Sequence, residues 1–135
     1  MKKNWILPLF TFTLFAICAS AFAQQEQWGG DGISIVVQDN SAQLEFECAS
    51  GAANGTWIPM FRQGRPGAIS AVVVNAKGSF KQSSGISVGT PVDVTYLAVI
   101  KGNQMTLQIE NQGVLSQEFR AWKNQPGSVP ACMRP

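Results

Sequence analysis

The groups from which chemistry is assembled are few in this chain, and they gather around "LEFECASG", residues 44 to 51. Glu45 and Glu47 stand two apart, so on a strand they share a face, as an acid–base pair of carboxylates requires. Cys48 ends the same alternation on the apolar side, with Leu44 and Phe46, and such a cysteine can be a reactive thiol, a metal ligand or half of a disulfide. Ser83 and Ser84 lie close to Lys81 in "KQSSG", the ingredients of a Ser–Lys nucleophile, and Asp31, Asp39 and Asp93 bring oxygen ligands of the kind calcium takes. Against all of these stands the absence of histidine, the residue on which nucleophilic hydrolysis and protein zinc sites most often draw. Neither "GGDGIS" nor "DNS" follows a calcium-loop grammar, and Ser, Asp and Gly in such stretches are ordinary turn residues. The two glutamates read as the solvated face of a sheet whose other face is buried. No catalytic residue, metal site or cofactor is assigned, and the expectation is a protein that is not an enzyme.

A stretch better suited to contact than to catalysis is "MFRQGRPG", residues 60 to 67. Phe61 is apolar beside a loop, Arg62 and Arg65 can make forked bonds to carboxylates, and Gly64 and Gly67 let the backbone adapt to a partner. These three side chains, Phe61, Arg62 and Arg65, are the candidate partner-binding residues. The plainer alternative is that Phe61 folds back beneath its own loop.

Residues 1 to 23 are read as a signal peptide. Lys2 and Lys3 precede an apolar run from Trp5 to Ala19, and Ala21 and Ala23 stand three and one positions before the expected cut. As a membrane anchor the run is short and contains Pro8, where about 20 apolar residues are needed to span a bilayer. Cys18 has Ile17 directly before it, where lipid attachment favours a small residue. Removing the segment leaves 112 of 135 residues, expected to form one domain from 24 to 135. It also takes two of the ten basic residues, leaving eight against eight acidic ones. The formal charge of +2 thus belongs to the leader, and nothing argues for nucleic acid as a partner. The expected localisation is secreted or periplasmic, with no integral membrane span after cleavage.

Cleavage leaves Cys48 and Cys132 as the remaining cysteines. In an oxidising compartment two cysteines most simply pair with each other, so a Cys48–Cys132 disulfide is expected.

The elements that must position these residues are strands. "GISIVVQ" and "AQLEFEC" flank "DNS" as a first hairpin, and "SGAANG" reads as a loop. "GTWIPM" reads as a third strand, with Pro59 marking an edge or bulge. "ISAVVVN" and "GSFKQ" read as a hairpin turning at Ala76 and Lys77, with Gly78 at positive φ. "SSGISVGTP" is irregular, and "VDVTYLAVIK" and "QMTLQIE" around Gly102-Asn103 form the clearest hairpin of all. "LSQEFRAW" reads as the last strand. No segment sustains a helical period. The fold class is all-β: a small antiparallel meander of about eight strands, a closed or partly open lipocalin-like barrel, with a flattened sandwich as competitor. One or two of Trp28, Trp57 and Trp122 are expected to plug the barrel or its rim.

The order "LEFECASG", "GTWIPM", "NAKGSF", "VTYLAVIKGNQMTLQI", "NQPG" and a closing cysteine resembles a family of small secreted bacterial proteins of no established function, over roughly Ile33 to Met133. The resemblance implies a small β-barrel with a disulfide and carries no activity. Members often have a histidine after the first cysteine; Ser50 stands there in this chain, and "FRQGRPGAISA" is extra length. The expected function is that of an exported binding protein that takes a small apolar ligand or a protein at its rim. An inhibitor of an extracellular or periplasmic protease or lysozyme is the alternative, by analogy of fold.

Overall fold

Period-two alternation gives most of this chain one apolar and one polar face, and a sheet so patterned hides the apolar face by curling until its edges meet. The computed structural model describes residues 25–63, 66, 70–84, 87–130 and 132. In it the strands are β1 (Gln25–Gly30), β2 (Ile33–Gln38), β3 (Ser41–Phe46), β4 (Ala49–Ala53), β5 (Pro59–Arg62), β6 (Ala71–Ser84), β7 (Ser87–Val88), β8 (Val92–Lys101), β9 (Gln104–Asn111), β10 (Val114–Leu115) and β11 (Phe119–Lys123). Eight of these close into an antiparallel barrel in the order β1, β2, β3, β4, β6, β8, β9, β11, with β11 returning to β1. The short strands β5 and β7 add to β6, and β10 adds to β9. The chain is therefore a closed barrel and not a sandwich, and the described residues contain no helix.

The expected hairpins β2–β3 and β8–β9 are both present, joined through Asp39-Asn40 and Gly102-Asn103. Their inward residues, among them Ile33, Ile35, Leu44, Tyr96 and Leu107, are fully buried, and Met105 on β9 joins them. Each such side chain contributes roughly 1.5–3 kcal/mol of transfer free energy.

Elsewhere the strands differ from the sequence reading, for steric reasons. β1 was not expected from "QEQWGG", yet it closes the barrel, because Trp28 supplies a buried inner face and Gly29 and Gly30 allow backbone to approach closely. "SGAANG", read as a loop, is largely β4. Its small residues are what the inside of the barrel demands there: a Cβ on Gly51 would lie 1.9 Å from the Tyr96 hydroxyl.

"GTWIPM" is not one strand. The chain leaves the sheet after Ala53, the Trp57 amide donates to the Asn40 carbonyl and the Thr56 hydroxyl to the Lys77 carbonyl, and the indole of Trp57 enters the core before β5 begins. Nor does β6 turn at Ala76 and Lys77. It runs unbroken through Gly78, which is not at positive φ and makes room instead for the Tyr96 ring and the Ala52 carbonyl. Within "SSGISVGTP", read as irregular, the end of β6 pairs with β7. The last strand starts at Phe119; residues Ser116 to Glu118 interrupt the sheet between β10 and β11.

The disulfide is present. Cys48 and Cys132 are bonded at 2.04 Å with Cα atoms 4.7 Å apart, and 84 residues separate them in sequence. The tail reaches Cys48 by running back beside β1. Asn124 donates to the Gln27 carbonyl, residues 125–127 cover Gly29, and Ser128 exchanges backbone bonds with Gly30 and Gly32. Any side chain on Gly29 would collide with the backbone of this tail, so the glycine is required where two backbones touch.

Candidate binding cup at the disulfide end

The barrel has two unlike ends. At one lie the turns Asp39-Asn40 and Gly102-Asn103, and Trp57 seals it from within. At the other lie the turns Asp31-Gly32 and Glu47-Cys48, the C-terminal end of β6 and the disulfide.

Between them the interior is filled. Trp57, Tyr96, Ile33, Ile35, Leu44, Met105 and Leu107 are the largest of its fully buried side chains among the described residues. Tyr96 crosses from β8 over Gly78 to Gly51, and its hydroxyl donates to the Ser79 carbonyl. Burial raises its phenol pKa far above the ordinary value, because the phenolate has no water to solvate it.

The filling stops short at the disulfide end. Phe46 from β3, Phe80 from β6 and Phe119 from β11 meet there, with ring centroids of Phe46 and Phe80 5.8 Å apart and of Phe46 and Phe119 5.0 Å apart, inclined at 62° and 56°. Phe46 is buried, whereas Phe80 and Phe119 are partly open. Above this floor is an open cavity, with Ile109 beside the phenylalanines and a rim that includes Glu47, Cys48, Gln82, Ser83, Glu118 and Cys132. The rim is fixed in place: Ser83 donates its amide to the Cys48 carbonyl, the Cys132 sulfur sits 3.3 Å from the Ser83 carbonyl oxygen, and Ser116 Oγ receives the Ile109 amide. Such a site offers apolar contact below and hydrogen-bonding groups around the edge, the usual composition of a small-molecule pocket.

The residues singled out from the sequence scatter around this cup. Cys48 and Cys132 line it as a disulfide. Tyr96 and Leu107 fill the barrel, Ile100 is half-buried, and Phe46 and Phe119 form the floor of the cup. Glu45 faces solvent on β3 and Glu47 stands in the following turn, both exposed, so neither has the desolvation that acid–base work needs. Among the described residues no hydrogen bond joins Ser83 to Lys81, and no three acidic or sulfur ligands converge as a metal site.

The partner-contact stretch lies at the opposite end, where β5 pairs with the first residues of β6. Phe61 is 65 % exposed and does not fold back under its loop, Arg62 is exposed beside it, and Arg65 lies outside the described residues. The tryptophans divide as expected, Trp28 and Trp57 in the core and Trp122 at 39 % exposure on the outer wall. Phe80 was missed as a site residue. The available signal was its place in period two with Val74, Ala76 and Gly78.

Compared with protein-family models, with curated proteins and with solved structures, the chain finds no match.

Proposed function

We propose that this is an exported, non-enzymatic binding protein that holds a small apolar ligand in the cup at the disulfide end of its barrel. The observation that carries the reading is the aromatic floor in which Phe80 and Phe119, packed on the buried Phe46, stay partly open to a cavity among the described residues, above an otherwise filled interior. A filled barrel has no room for a ligand along its axis, so binding belongs to the mouth. Export is supported by the leader-like first 23 residues and by a disulfide, which persists in oxidising compartments. The barrel and the bond are also what the resemblance to small secreted bacterial proteins implies.

The test is a fluorescence titration with the neutral apolar dye N-phenyl-1-naphthylamine. Saturable enhancement by the wild-type protein, reduced at least severalfold by Phe119→Ala in protein shown to be folded, is the expected result. Equal enhancement by both proteins, or none by either, removes the cup as the site.

A second reading is favoured by β5. Met60 and Phe61 are 67 % and 65 % exposed on a strand bonded to β6, an arrangement suited to protein contact. If this face captures a protein, replacing Phe61, Arg62 and Arg65 by alanine abolishes capture without altering the melting temperature. Inhibition of a protease or lysozyme is one form that capture can take, and a panel of such hydrolases at micromolar protein tests it directly.

A further inference from the structure

We infer that the occupant of the cup is a small organic cation with apolar substituents, such as a substituted ammonium. The inference rests on the proposed binding role and adds the ligand's charge. Three observations meet at the cup.

The first is the floor, where Phe46 makes edge contact with Phe80 and tilted contact with Phe119. Aromatic quadrupoles attract a cation over their faces and offer nothing comparable to an anion.

The second is the rim. Its charged residues among the described ones are Asp31, Glu47, Glu118 and Arg120. Arg120 Nε lies 3.5 Å from Glu118 Oε1, so those two charges largely cancel, while Asp31 and Glu47 make no salt bridge among the described residues. The rest of the rim is neutral, chiefly Gln82, Ser83, Ser116 and Gln117. With no histidine in the chain, this imbalance is set by groups of one sign and does not invert across the neutral pH range.

The third is the distribution of charge along the barrel. Three of the chain's eight acidic residues, Asp31, Glu47 and Glu118, line the cup, while Glu45 stands on the outer wall, Asp93 and Glu110 line an outer groove shared with Lys77, and Lys81 lies opposite Ser50 on the same half of the barrel. Arg62, Lys101 and Lys123 sit at the far end. The chain after residue 23 is formally neutral, whereas the described lining of the cup carries three carboxylates against one guanidinium. A field of this shape draws cations toward the mouth and turns anions away.

The experiment uses three probes with one tail: octyltrimethylammonium, 1-octanol and octyl sulfate, each titrated by calorimetry and by amide NMR at low salt, well below any micelle concentration. The ammonium is expected to bind roughly tenfold or more tighter than the sulfate, with the alcohol between them, and this spread is expected to shrink as salt is added. Asp31→Asn with Glu47→Gln, both at exposed positions, is expected to bring the three affinities to within about threefold of one another, chiefly by weakening the ammonium. Equal binding of all three by the wild-type protein overturns the cation preference and leaves the apolar cup standing. Tighter binding of the sulfate also overturns it. No binding of any probe overturns both.

Discussion

Tyr96 is the residue on which the packing of the barrel turns. It is the only tyrosine of the chain, fully buried, with its hydroxyl donating to the Ser79 carbonyl and its ring lying where side chains at Gly51 and Gly78 would be. Because burial raises its pKa, the folded state holds the phenol proton more tightly than the unfolded chain does. The contribution of this group is therefore complete below the ordinary phenol value of about 10 and is lost above it, at about 1.4 kcal/mol per pH unit, as the unfolded chain ionises. Tyrosinate absorbance is expected to stay flat in native protein as the pH passes 10 and then to rise together with the loss of tertiary structure. A smooth rise centred near 10 in protein that remains folded would show a solvated phenol and a loosely packed core.

Among the elements, Trp57 separates what the sequence made legible from what it did not. The hairpins β2–β3 and β8–β9 could be read because strict alternation and a two-residue turn are local signals, and a local signal fixes both face and register. β4 could not, since Gly51 lacks a side chain because a tyrosine on another strand needs the space. β1 could not, since its six residues carry a single large apolar side chain and depend on β2 and β11 to be a strand at all. The cup was half legible: alternation puts Phe46 on the apolar face of its strand, but its meeting with Phe80 and Phe119 joins three distant parts of the chain. "GTWIPM" looked like a strand because Thr, Trp and Ile favour strands, yet the break places Trp57 in the core where an indole closes the end of the barrel. Trp57→Ala is expected to lower the free energy of unfolding by about 3–5 kcal/mol, measured by urea denaturation. A loss below about 1 kcal/mol would mean that the indole is not part of the core.

The whole molecule is a meander closed by contacts between its two ends: β1 pairs with β11, the tail returns along β1, and Cys132 joins Cys48. Closing a loop across 84 residues restricts the unfolded chain by an amount on the order of 4–5 kcal/mol in the loop-entropy account. Cys48→Ser with Cys132→Ser is expected to lose several kcal/mol in urea while keeping the β-rich circular dichroism of the parent, because the core and the barrel pairs are independent of the bond. An unchanged denaturation midpoint would show that the staple constrains nothing. Closure also bears on the proposed binding, since a filled interior and a sealed far end leave the disulfide mouth as the part of the barrel a ligand could enter. The most direct measurement is an amide NMR titration of the oxidised protein with N-phenyl-1-naphthylamine. Shift changes confined to residues 46–49, 80–83, 109 and 116–119 are expected, with Tyr96 and Leu107 unmoved. Changes centred on those buried residues, or on β5 at the opposite end, would contradict a packed barrel that binds at its disulfide mouth.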